Sequence, residues 1–167
     1  MPPALRRDAP ALTPALALDY VRELSADVHA GVVLDAAGGP LAGPDELATA
    51  ARALLEAGGD AAELEAATAG GVVCAVRSAG HAMVAVCGRF AIPAVVRGDM
   101  RAALVAVEGR APAAAPQRAA VEERPGEPRT GAAGARAGEP RVGAPGDEAL
   151  ARAAEALISA AQRGFGA

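Results

Sequence analysis

The 167-residue chain has no lysine, no asparagine and no tryptophan. Without lysine there is no Gly-Lys-Ser/Thr phosphate loop, so the chain is not itself a P-loop GTPase. Without asparagine it has no N-glycosylation acceptor. Aromatics are scarce too: Tyr20, Phe90 and Phe165 are the whole set. A surface that stacks bases needs more of them, and a net charge of −4 gives no basic footprint for DNA or RNA. Two cysteines, Cys74 and Cys87, do not make a disulfide framework. No apolar run approaches the ~20 residues of a membrane span, and Arg89, Arg97, Asp99 and Arg101 break the most apolar region. After Arg6-Arg7 a mildly apolar stretch runs from Ala9 to Leu18, but Pro10 and Pro14 interrupt it and Asp19 ends it. A signal peptide has a longer, cleaner apolar segment. The expectation is a cytoplasmic protein with no nucleic-acid and no membrane partner.

What the chain does have is small apolar residues. Hydrophobic types make up 52%, nearly all of them Ala, Val and Leu, which predicts thin layers and close helix–sheet contacts. All fixed cations are Arg, and Ala, Gly and Pro abound. This pattern fits a GC-rich coding bias, so a lone Gly or Pro is weak evidence of a turn.

Residues 1–12 read as a loose, Pro-containing leader. Thr13-Pro14 starts a first helix, Thr as N-cap and Pro at the first helical position. Ala17, Tyr20, Val21, Leu24 and Val28 recur at helical spacing, and this helix is expected to end before Gly31. Gly31 to Asp35 reads as a short buried strand, Ala36 to Gly39 as a turn, and Pro40 to Ala42 as a returning strand at a sheet edge. A second helix opens at Gly43 to Glu46, carries Leu47, Ala51, Leu54 and Leu55 on one stripe, and stops at Gly58-Gly59.

Asp60 to Ala69 is helical by propensity but sits just before Gly70-Gly71, a hairpin turn by composition. It is expected as a strand, with Leu64, Ala66 and Thr68 on one face and Glu63 and Glu65 on the other. Val72 to Arg77 and Ala82 to Cys87 read as a strand pair around a turn from Ser78 to His81. After Pro93, a helix is expected with Val96, Met100, Ala103, Leu104 and Val107 at helical spacing.

From 110 to 146 the composition turns to Pro, Gly and Ala, predicting a disordered linker. Gly126-Glu127-Pro128-Arg129 returns as Gly138-Glu139-Pro140-Arg141, a docking motif or a slippage product, the second being favoured. Residues 147–164 form a C-terminal amphipathic helix whose stripe is Leu150, Ala154, Leu157, Ile158 and Ala161. An isolated helix of that length is marginal in water, so it must dock on its own domain or on a partner.

The order helix, strand, strand, helix, three strands, helix resembles the Roadblock/dynein light-chain family over about Thr13 to Val107. Gly31-Val32-Val33-Leu34-Asp35, the turn with Gly38-Gly39, and Leu41-Ala42 carry the resemblance, joined by the Gly70-Gly71 hairpin, the Val72 to Cys87 pair and the helix after Pro93. It implies an α+β domain over 13–109, a five-stranded antiparallel sheet with flanking helices. It also implies a homodimer, formed edge to edge by the third strand and face to face by the second helix. The candidate interface is Leu47, Ala51, Leu54, Leu55, Leu64, Ala66 and Thr68. Family members regulate small Ras-like GTPases or tether motor and signalling complexes.

Other chemistry finds little footing. Gly38-Gly39 and Gly43 do not make a dinucleotide fingerprint. His81 at a hairpin tip and cysteines about 20 Å away along strands cannot share a metal. With Gly80-His81 as the two turn residues, Cys74 would lie opposite Cys87; a cross-strand disulfide is then conceivable, but two core thiols are favoured. Ser25, Ser78 and Ser159 lie in no nucleophile-elbow context. His29 reads as a solvent-facing helix-end residue, and Asp35 as a cap on its own turn. No catalytic, cofactor or metal residue is assigned.

The leading reading is a non-catalytic dimerising regulatory module that binds and modulates a small Ras-like GTPase, with Arg77, Arg89 and Arg97 as candidate contacts because Arg is favoured at interfaces. The alternative is a structural scaffold or tether using its linker and C-terminal helix. A ligand sensor or enzyme on a related sheet comes third, since no polar cluster is evident to serve it.

Overall fold

Apolar alternation and helical spacing succeed one another along the chain, and each resolves into its own element. The computed structural model describes residues 12–109 and 145–164. The elements are α1 (Pro14–Leu24), β1 (Val28–Asp35), β2 (Pro40–Ala42), α2 (Asp45–Ala57), β3 (Glu63–Thr68), β4 (Gly71–Arg77), β5 (His81–Cys87), α3 (Pro93–Val107) and α4 (Pro145–Gly164). Most of the leader and of the linker expected over 110–146 lies outside the described residues; Pro145 and Gly146 already belong to α4.

The five strands form one sheet in the order β2-β1-β5-β4-β3. Every pairing is antiparallel. Strand alternation sends Val32, Leu34, Ala66, Val73, Ala75, Val84 and Val86 to one face, where α2 and α4 cover them. Val33, Cys74, Val76, Met83, Ala85 and Cys87 go to the other face, under α1 and α3. Among the described residues no polar or charged residue is buried. The core is Ala, Val, Leu and Met with two Cys and one Ile, as expected of a chain with so few aromatics.

Local chemistry sets the boundaries. The Thr13 side chain accepts the Leu16 N–H at 3.3 Å, and Pro14 opens α1. Asp35 Oδ1 accepts the N–H groups of Ala37 at 2.8 Å and Gly39 at 2.7 Å, closing the β1–β2 turn. Asp45 and Glu46 sit in the first turn of α2, complementing its dipole. Gly71 has φ +150, and a Cβ there would come within 2.3 Å of the Cys87 carbonyl oxygen. Only glycine permits the start of β4 to lie so close to β5.

Four expectations are corrected. The first helix stops at Leu24, and Val28, His29 and Ala30 belong to β1. Val28 pairs with Cys87, and the Gly88 N–H donates to the Asp27 carbonyl at 2.9 Å, so pairing with β5 overrides helical spacing. His29 is exposed, on a strand rather than a helix end.

The β4–β5 turn is Ala79-Gly80, because Ser78 N–H donates to the His81 carbonyl at 2.8 Å and Arg77 pairs with Ala82. Cys74 therefore lies opposite Ala85, and Cys87 opposite Val72. The two-residue difference in partner keeps every side chain on its face. Likewise Thr68 pairs with Gly71, so the β3–β4 turn is Ala69-Gly70 and Gly71 opens β4.

Candidate interaction surfaces

The β3 strand is an edge, paired with β4 alone. The Arg77 N–H donates to the Ala62 carbonyl at 2.8 Å, which fixes the alternation. Residues 64, 66 and 68 then bond inward to β4, and the N–H and C=O groups of Glu63, Glu65 and Ala67 point outward. On the α2–α4 face, Ala66 is buried and Leu64 and Thr68 are half-buried. On the other face, α3 lays two arginines over β3. Arg97 pairs with Glu63 at 3.2 Å and with Glu65, and Arg101 pairs with Glu63. The Arg101 guanidinium, with Arg97 beside it, holds the Glu63 carboxyl below its ordinary range, and Glu65 pushes Arg97 further up. The edge strand is thus screened of its own negative charge.

Of the candidate dimer residues, Leu47, Ala51, Leu54 and Leu55 are all buried within this chain. They share an apolar cluster with Leu64, Ala66 and the inner stripe of α4: Ala153, Ala154, Leu157, Ile158, Ala160 and Ala161. The structure therefore gathers the candidate residues on one face and lays α4 across it. Thr68 stands apart from that cluster, its hydroxyl accepting the Gly70 N–H at 3.1 Å and donating to the Gly71 carbonyl at 3.3 Å in the turn.

The three candidate arginines differ. Arg77 reaches the Leu55 carbonyl at the end of α2, with its Nε buried and unpartnered. Arg97 is held by the two glutamates. Arg89 is exposed, 5.4 Å from the centre of the Phe90 ring. Phe90 itself is 81% exposed, and Ile92 and Val95 beside it are 65% and 53% exposed. Ser25 Oγ lies 3.5 Å from Asp99 Oδ2, joining the end of α1 to α3 four residues past Val95, so Leu24 (52%) adds to the same corner. Tyr20 and Leu16 extend the exposed stripe back along α1. The sequence reading missed this patch, although Phe90-Ala91-Ile92 before a helix-opening proline is its one visible signal.

A second polar group of residues is tied up at the β4–β5 turn. Glu108, at the end of α3, accepts from Ser78 Oγ at 2.5 Å and from the Gly80 N–H at 3.2 Å, with His81 Nδ1 3.7 Å away. The Ser78 hydroxyl, then the Gly80 amide and His81, hold its carboxyl below the ordinary value. This clamps the β4–β5 turn to α3. An open cleft of about 480 Å³ between that turn, the β1–β2 turn and α2 includes Asp35, Arg52, Glu56, Asp60, Arg77 and His81 in its wall. Arg52 donates to the Gly38 carbonyl at 3.1 Å, so both arginines there hold backbone. Cys74 and Cys87 are free and buried; the neighbouring Cys74 sulfur, and then burial, push the Cys87 thiol up. Diagonal positions on neighbouring strands lie about 7–8 Å apart, beyond easy disulfide reach. Among the described residues no group of three His, Cys, Asp or Glu could hold a metal ion, and no helix is long and apolar enough to cross a membrane.

No family model and no curated protein matches the chain. Two solved Roadblock/LC7 domain structures from Streptomyces avermitilis are similar to it. One is 18% identical over 53% of this chain and 91% of that one, with a TM-score of 0.45. The other is 17% identical over 55% of this chain and 92% of that one, with a TM-score of 0.48. The five-stranded antiparallel sheet and its helix order are those that the Roadblock resemblance over Thr13 to Val107 implies.

Proposed function

We propose that the chain is a non-catalytic regulatory module that pairs with a second copy of itself along β3 and binds a small Ras-like GTPase. One observation carries the protein-binding reading. A chain with few large apolar residues leaves Leu16, Tyr20, Leu24, Phe90, Ile92 and Val95 exposed on its α1–α3 layer. Clustered exposed apolar side chains mark interaction sites, and an Arg beside an aromatic is the composition of an interface anchor. The β3 edge supports pairing, since unpaired N–H and C=O groups are a template for another strand. Arg97 and Arg101 remove the repulsion that two sets of Glu63 and Glu65 would bring to such a seam. The GTPase is the partner implied by the resemblance. The module would act by surface, orienting groups that the GTPase already owns.

The test is titration of the purified chain against Ras-like GTPases from the same cell, in both nucleotide states, with hydrolysis and exchange followed. Binding is expected to weaken at least tenfold with Phe90→Glu. GTPases that stay unbound, with nucleotide cycles unaltered, would refute this reading.

A further inference from the structure

The two faces of the sheet are covered in different ways. Five strands at about 4.8 Å spacing make a sheet roughly 20 Å wide, and a helix covers about 10 Å of it. Each face therefore takes two helices. One face receives α1 and α3, which also bond to each other: the Leu12 N–H donates to the Ala106 carbonyl at 3.1 Å, and Ser25 meets Asp99. The other receives α2 and α4. Only α4 follows a long connection, residues 110–144, which extended would span about 115 Å. It can leave the sheet without moving α3.

Its buried stripe is made mostly of small residues. Of its six buried residues, four are alanine, and only Leu157 and Ile158 are larger. Among the described residues, its one polar tie to the rest of the chain is Arg163 to Glu46, at 4.0 Å and largely exposed. It also underfills the face. A hollow of about 560 Å³ lies between its last turn and α1, β1 and the start of α2, where Leu18, His29, Leu47 and Ala161 line it. A second, of about 290 Å³, lies between Ile158, Val86 and His29. Beside that second hollow α4 reaches the end of β3: a Cβ on Gly70, in the β3–β4 turn, would lie 3.0 Å from Ile158 Cγ2.

We infer that α4 is a displaceable cover, and that the face beneath it, continuous with the open β3 edge, is where a second copy of this chain seats more fully. This rests on the β3 pairing proposed above. With α4 docked, two copies share only strand edges. With α4 displaced, Leu54, Leu55, Leu64 and Ala66 join the seam, and the second copy replaces the apolar contact that α4 supplied. The chain thus carries its own competitor for the paired state.

The experiment uses the full chain. Ala154→Glu with Leu157→Glu places two carboxylates on the inner stripe of α4, where both side chains are fully buried against α2 and the sheet. Light scattering over a concentration series should show the 16.4 kDa wild-type chain pairing weakly, and the double variant pairing at least tenfold more tightly. A synthetic peptide of residues 145–164 in excess should return the variant to the wild-type equilibrium. Amide exchange on the wild-type chain, which does not depend on the variant folding, should show α4 exchanging faster than β1 and β5 while α1 and α3 stay protected. An unchanged or weakened pairing constant in a folded variant overturns the cover, as does an α4 protected as strongly as β1. A chain whose α4 opens separately but which never exceeds monomer mass, in either form, overturns the pairing itself.

Discussion

At the scale of single residues, Asp35 and Glu108 hold two neighbouring turns at one end of the sheet. Asp35 Oδ1 accepts two backbone amides in the β1–β2 turn and stands opposite His81 across the sheet. Asp35→Ala leaves both amides to water and frees a turn that Arg52 grips from outside through the Gly38 carbonyl. Hydrogen bonds to a charged group contribute about 1.5–3 kcal/mol, and partial exposure here argues for the lower end. Chemical denaturation should show a loss of about 2 kcal/mol. Glu108 makes the neighbouring β4–β5 turn sensitive to acid. Its carboxyl is held below the ordinary carboxylate value in the folded chain, chiefly by the Ser78 hydroxyl. A group whose folded pKa is depressed stabilises the fold above its unfolded pKa and loses that contribution as pH falls through the folded one. Thermal unfolding of the wild-type chain and Glu108→Gln should therefore differ most near neutrality, with the gap closing below pH 4.5. A gap that persists unchanged at lower pH would show that the Ser78–Glu108 clamp does not depend on charge.

Elements were legible where local chemistry decides them. The Thr13-Pro14 start, the stop of α2 at Gly58 and the apolar runs of β4 and β5 all stood in the sequence. Even β3, which propensity alone makes helical, was marked by the glycines around it and by Leu64 and Ala66 alternating with Glu63 and Glu65. What could not be read was set by pairing across long separations. Val28 fits a helical stripe and a strand equally well, and only β5, reached some fifty residues later, makes it a strand. Seating Glu63 and Glu65 under Arg97 and Arg101 likewise joins residues 32 to 38 apart, and no spacing rule reports it. The docking site of α4 was hidden for the same reason: its stripe showed that it must dock, but not on which face. Gly71 is where an element depends most on one residue. Gly71→Ala would combine a strained φ of +150 with a contact of 2.3 Å to the Cys87 carbonyl oxygen. Such strain costs on the order of 1–3 kcal/mol, and the main-chain clash adds to it. The variant is expected to lose about 3 kcal/mol or more in denaturation, with faster amide exchange at the β3–β4 turn than elsewhere.

For the whole molecule, the geometry of the sheet separates pairing from folding. The sheet has two edges. The β2 edge is only three residues long and opens with Pro40, which blunts it. The β3 edge is six residues long and, by the alternation that the Ala62–Arg77 bond fixes, aims the N–H groups of Glu63, Glu65 and Ala67 at solvent. Ala67 is exposed and makes no side-chain bond, so it offers a clean probe. Ala67→Pro removes an outward donor and leaves the inward bonds of Leu64, Ala66 and Thr68 to β4 in place. Proline is tolerated on an edge strand for that reason. The variant should unfold within about 1 kcal/mol of the parent chain, because its intramolecular ladder is intact. Its self-association should nevertheless disappear, both in the parent background and with the Ala154→Glu and Leu157→Glu changes that displace α4. Light scattering of the four chains reads both backgrounds at once. If Ala67→Pro still pairs when α4 is displaced, the face beneath α4 suffices alone and the strand edge is not part of the seam. If it unfolds, β3 must use its 67 amide inward, and the register given for the β3–β4 hairpin is off by one.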